Sequence, residues 1–259
     1  MPFTPRRSAR ARATSTRALA LVVAVLLVAS GCTDNAASGS GTPGVATAAG
    51  ADIPLPTIGL GSDTGSGSAA RAADASDVQR VVMVGDSITV GSTPYLVEYF
   101  GAAGFPIEIG AQEGKRINVS SSSNPSGTRV ADGLAAAAAA DGSTTDELWV
   151  VALGTNDIGQ YEAQADVEAE IRELLTVVPP DAALVWINTW FRDRPDFTAQ
   201  VNAAIQTVMA ERGNATIGDW ASVAPTEGVL RSDGVHPNDD GAKVFAELVL
   251  ATTRGFLAR

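Results

Sequence analysis

One histidine and one cysteine are all that this 259-residue chain contains of either type. A lone cysteine excludes an intramolecular disulfide, and the pair together leaves no His/Cys cluster that could hold zinc. The first 31 residues lack acidic side chains, yet hold five of the 18 basic ones: Arg6, Arg7, Arg10, Arg12 and Arg17. Residues 32–259 therefore carry 13 basic against 29 acidic side chains. That surface lacks the basic face that nucleic-acid phosphates require, and it suits solubility outside the cell. No internal repeat is visible, which excludes solenoids and propellers. The apolar run ALALVVAVLLVAS (Ala18–Ser30) is too short to read as a membrane-spanning helix.

Behind its arginines, that run has the form of a signal peptide, residues 1–31. It ends in ASGC, which resembles the lipobox of bacterial lipoproteins, with Ala29 where leucine is usual. The resemblance implies lipid attachment at Cys32 and a protein held on the outer face of the cell membrane; plain secretion is the alternative. Residues 32–76 are rich in Gly, Ser, Ala and Thr without apolar periodicity, as expected of a flexible tether. The folded domain is expected over 77–259, as a monomer.

In that domain, short apolar runs alternate with stretches of helical spacing. VQRVVMVGDS, FPIEIGAQ, DELWVVALGTND, DAALVWINTW and ATIGDW read as buried strands. Between them, TPYLVEYFGAAG, TRVADGLAAAAAADG, EAQADVEAEIRELLTVVPP and DFTAQVNAAIQTVMAERG read as helices, and DDGAKVFAELVLATTRGFL as the last one. Such alternation predicts an α/β domain with a parallel sheet of about five strands and helices on both faces. In these sheets the site lies beyond the carboxyl ends of the strands. Polar stretches sit at those ends: Gly85-Asp86-Ser87, the segment around Gly114, and Gly154-Thr155-Asn156-Asp157. Asp233-Gly234-Val235-His236 precedes the last helix.

Acyl-transfer hydrolysis needs a nucleophile, a base, a group that orients the base, and oxyanion donors. Ser87 offers a hydroxyl at a strand end, and His236 is the sole imidazole. Asp233, three residues earlier, is close enough in a tight turn to accept from it. The Asn156 amide and the backbone N–H groups of Ser87 and Gly114 can serve as oxyanion donors, with Gly110 the rival glycine.

GDSITVG, a glycine after the second strand, GTND and DGVHP occur in this order. They resemble the four sequence blocks of the SGNH/GDSL hydrolases, a large family of serine esterases, lipases and carbohydrate deacetylases. The second block matches least, because AQEGKR is charged where small residues are common. The resemblance covers the folded domain. It implies a flavodoxin-like α/β/α sandwich and a Ser–His–Asp mechanism without metal or cofactor. It places the nucleophile at Ser87, the oxyanion glycine and asparagine at Gly114 and Asn156, and the acid and base at Asp233 and His236.

The segments expected around Ser87 are short and polar: SSSSNPSG, GTNDIGQ and WFRDRPDF. They offer little apolar surface to a long acyl chain, so short acyl esters are the expected substrates, O-acetylated glycans among them. Arg192 and Arg194 are expected to pair with Asp193 and Asp196; contact with a polar or anionic substrate is the alternative. Alternatives are a lipid-anchored solute- or glycan-binding protein without turnover, and a lipase or thioesterase of the same family.

Overall fold

In the computed structural model, residues 78–142 and 147–259 are described. The proposed signal peptide, the tether and Cys32 lie outside them. Five strands form one sheet: β1 (Arg80–Gly85), β2 (Ile107–Ala111), β3 (Glu147–Ala152), β4 (Ala183–Ile187) and β5 (Ala215–Gly218). Their order is β2-β1-β3-β4-β5 and every pairing is parallel. This is the five-strand α/β fold that the alternation predicts, with the strand order of flavodoxin-like sheets.

Successive strand residues point to opposite faces, so a strand covered on both sides must be apolar throughout. Val81 and Met83 of β1, with Leu148 and Val150 of β3, enter one core, while Val82, Val84, Trp149 and Val151 enter the other. The first core is closed by α1 (Ser87–Ala102) through Leu96 and Phe100 and by α6 (Asp239–Leu257) through Phe245 and Val249. The second is closed by α2 (Gly127–Asp141), α3 (Gln164–Leu175) and α4 (Pro195–Arg212), through Ala131, Ile171 and Ile205 among others. Trp149, Trp186 and Trp220 are fully buried, whereas Trp190 is a half-buried rim residue.

Two elements differ from the sequence reading. Helix α1 starts at Ser87 rather than near Thr93 and runs through Pro94. The Asp86 side chain accepts from Ile88 N at 3.0 Å and caps the first turn. That cap, together with burial of Leu96 and Phe100 in the core, offsets the main-chain bond Pro94 cannot make. A single turn, α5 (Trp220–Val223), follows β5, with Asp219 accepting from Ser222 N; four residues are too few to show a helical period.

At the carboxyl edge, Gly85 lies level with Ala111 on one side and Ala152 on the other. Three loops therefore leave neighbouring strands at one height. β1 is followed by its neighbours on opposite sides, which opens a crevice there.

Candidate active site

Ser87 is the first residue of α1, directly beyond β1. At that position its N–H has no acceptor inside the helix and sits at the positive end of the helix dipole. The Ser87 hydroxyl lies 3.0 Å from His236 Nε2, across 149 residues of chain. On the other side of the ring, His236 Nδ1 is 3.0 Å from Asp233 Oδ2. An Nδ1–H that donates to the carboxylate leaves Nε2 free to accept from the serine.

The turn that holds this pair is local. Asp233 Oδ1 accepts from Val235 N and His236 N, both at 2.9 Å. Gly234 has φ +71°, a conformation that favours glycine. Arg231 N donates to His236 O at 2.8 Å, and Leu230 bridges to Pro237. Asn238 caps α6 by accepting from Gly241 N. Burial pushes the Asp233 carboxyl up, but the Val235 and His236 N–H groups and the imidazole outweigh it and hold it at about 2. It is therefore ionised at neutral pH, as the orienting group must be.

Asn156 sits in a single 3₁₀ turn, Thr155–Asp157, just after β3. Its amide donates to Lys115 O at 3.0 Å and to Asp86 Oδ2 at 3.4 Å. The next residue repeats the link: Asp157 accepts from Arg116 Nε at 3.0 Å and Ile117 N at 3.1 Å, with Tyr161 OH at 3.4 Å. The segments GTND and GKRI are thus stitched together, Asn156 to Lys115 and Asp157 to Arg116 and Ile117. Burial costs Asp157 more than these partners return, so its pKa is raised, whereas Asp157 holds Arg116 above its usual range against burial. Three donors converging on one side chain are the geometry of a carboxylate, and we read Asp157 as ionised.

Lys115 is 1% exposed. Its ammonium donates to Pro125 O at 2.7 Å and more weakly to Asn124 Oδ1 at 3.4 Å. No carboxylate pairs with it among the described residues, and burial lowers its pKa. Of the charged AQEGKR, Gln112, Glu113 and Gly114 face solvent, whereas Lys115 and Arg116 turn inward and clasp the loops together.

The two candidate glycines separate clearly. Gly114 lies in the turn beyond β2 with φ +69°, one residue from the carbonyl that Asn156 bonds. Gly110 lies inside β2, and a side chain there would run into Val130 of α2. Asp86 completes the site from below. Burial pushes it up to about 6, with Ile88 N–H and the Thr155 hydroxyl pulling partly back.

Sequence places Asp86 and Asp157 in the polar stretches GDS and GTND, and Lys115 and Arg116 in the charged AQEGKR, but assigns none of the four a role. The expected pairs of Arg192 and Arg194 with Asp193 and Asp196 do not form. Arg192 instead donates to Ser232 O at 3.2 Å and Arg231 O at 3.5 Å, and Arg194 to Ile158 O at 3.5 Å. Neighbours in sequence point apart in this turn, so main-chain carbonyls are nearer than carboxylates.

An open parallel sheet whose carboxyl edge gathers a serine, a histidine and an aspartate is the architecture of an acylhydrolase. The chain belongs to the GDSL-like lipase/acylhydrolase family, whose model matches residues 83–244. Solved structures share the fold. A candidate arylesterase from Agrobacterium tumefaciens superposes with a TM-score of 0.55 at 19% identity, over 69% of this chain and 100% of that one. A carbohydrate acetylesterase family member from Sinorhizobium meliloti gives 0.52 at 16% identity, over 70% and 100%. The C-terminal catalytic domain of peptidoglycan O-acetyltransferase A from Streptococcus pneumoniae gives 0.51 at 17% identity, over 69% and 94%. A comparison with curated proteins finds no match.

Proposed function

We propose that the protein is a serine ester hydrolase that acts outside the cytoplasm on short acyl esters, O-acetylated glycans among them. Ser87 Oγ attacks the acyl carbon while its proton passes to His236 Nε2, and Asp233 stays ionised and steadies the imidazolium. The tetrahedral oxyanion is met by the N–H groups of Ser87 and Gly114 and by the Asn156 amide. The long 3.4 Å bond to Asp86 marks the amide hydrogen that an oxyanion would capture. Collapse breaks the ester C–O bond, and His236 returns the proton to the departing alcohol. Water, deprotonated by His236, then cleaves the acyl-Ser87 bond.

The observation that carries this reading is the unbroken contact chain Ser87–His236–Asp233, at 3.0 Å per link. Small acyl groups are favoured because the segments around Ser87, SSSSNPSG, GTNDIGQ and WFRDRPDF, are short and polar and offer little apolar surface to a long chain. Acetyl transfer or removal in two fold neighbours agrees with that reading. In the same reading Cys32 carries a lipid that anchors a monomer to the outer membrane face. A fluorophosphonate probe with mass spectrometry tests the mechanism. Ser87 is the residue expected to be labelled, and Ser87→Ala should take no label; an unlabelled wild type or a label on another residue overturns it.

A further inference from the structure

We propose that a groove beside the His236 turn is a subsite for the sugar half of a neutral O-acylated glycan; the proposal rests on the serine-esterase reading above. The groove encloses about 460 Å³ and is lined by Trp190, Arg192, Thr226, Glu227, Gly228 and Leu230 among others. That volume lies within the range of small-ligand sites, about 300–1,000 Å³.

Its walls are bonded to the segment that carries the base. Asn238 Nδ2 donates to Gly228 O at 2.7 Å, and Asn238 N to Val229 O at 3.0 Å. Arg192 N donates to Gly234 O at 3.1 Å, and a Cβ added to Gly234 would come within 2.7 Å of Arg192 Cβ. The groove therefore flanks the turn that carries His236, which in the reading above hands its proton to the departing alcohol.

The lining chemistry selects the alcohol. Trp190 is a half-buried indole packed against the core, hence a fixed apolar plane. Its Nε1–H is sealed from solvent, so the ring offers the groove only apolar surface. Arg192 spends two of its five donors on main-chain carbonyls. Among the described residues Glu227 forms no ion pair, and with Thr226 it adds acceptors to the wall. A flat apolar surface ringed by donors and acceptors matches a pyranose, which has a C–H face and a rim of hydroxyls that both donate and accept. A fatty alcohol would leave the polar rim unpaired. An anionic alcohol would meet Glu227 and a chain of net charge −11.

The test compares kcat/KM for O-acetylated chitotriose with kcat/KM for p-nitrophenyl acetate, which has no sugar. The ratio is measured in wild type, Trp190→Ala, Glu227→Gln and Arg192→Met. Each substitution should lower the ratio about tenfold, the scale for one recognition contact, chiefly through KM for the sugar ester. Glu227→Gln and Arg192→Met alter exposed side chains and remain informative if Trp190→Ala fails to fold. An unchanged ratio in these two, or a wild type that cleaves p-nitrophenyl acetate but not the sugar ester, overturns the subsite. Activity of Ser87→Ala on both substrates would instead overturn the serine-esterase reading.

Discussion

The turn that carries Asp233 and His236 is local and wet, whereas the loops that carry Gly114 and Asn156 are sealed to each other by buried charge. Asp233 and His236 leave 47% and 39% of their side chains exposed, and their bonds close within Leu230–Asn238. On the other arm Asp157 is 0% and Lys115 1% exposed, and the bonds span about 40 residues of chain (|i−j| = 41 for Asn156 to Lys115). A base that hands its proton to the departing alcohol and takes the next from water works at the solvent edge and tolerates water around it. An oxyanion donor gains from a fixed setting that needs no reorganisation, and the buried Asp157 and Lys115 hold the loops that present the half-buried Asn156 and the exposed Gly114. Damage to the first arm should therefore leave the fold intact, whereas loss of the buried charges of the second should cost stability.

The largest effect should come from the wet arm. His236→Ala is expected to lower kcat by roughly 10³-fold or more with little change in Tm, measured by ester hydrolysis alongside thermal melts. A large drop in Tm would erase the contrast between the arms. Asp157→Ala attacks the dry arm: it strands Arg116 and the buried Ile117 N–H. Urea unfolding should report a loss of about 3–5 kcal/mol, the scale for breaking one side of a buried pair. A loss under about 1 kcal/mol would mean the stitch is not needed to hold the loops.

Asp86, beneath both arms, adds a pH-dependent cost. Burial holds its pKa at about 6 in the folded protein, against an ordinary 3.8. Well below pH 3.8 both states hold the proton. Between pH 4 and 6 the unfolded chain binds fewer protons, so stability falls as pH rises, by about 3 kcal/mol in all. Asp86→Asn still caps α1 and should remove that slope, read as the wild-type-minus-variant difference in unfolding free energy at pH 4 and pH 7. Identical pH profiles would show that Asp86 is not the group responsible. The smallest expected effect belongs to Asn156→Ala, about 10²-fold in kcat for one oxyanion donor, with KM for p-nitrophenyl acetate nearly unchanged. A change confined to KM would make Asn156 a binding residue instead.

The same contrast explains what could be read from sequence. DGVHP announces itself because an acid, a glycine and a base three residues apart make a self-contained turn. Ser87 is legible from the strand before it, and the five strands from their unbroken apolar runs. The dry arm's partners were not legible, since no local rule links Asn156 to Lys115 or Asp157 to Arg116. Their bonds exist only once β1, β2 and β3 end level, at Gly85, Ala111 and Ala152. The start of α1 differs for a related reason: Pro94 locally favours a helix that begins beside it, while the Asp86 cap and core contacts through Leu96 and Phe100 belong to the assembled domain.

The 149 residues between Ser87 and His236 also set a schedule. Synthesis proceeds from the N-terminus at about 5–20 residues per second, so the serine precedes its imidazole by about 7–30 s. On the proposed mechanism, the nascent chain displays Ser87 throughout that interval with no base to deprotonate it. Chemistry waits for the last stretch before α6, and a chain cut short ahead of it carries the nucleophile as an ordinary alcohol.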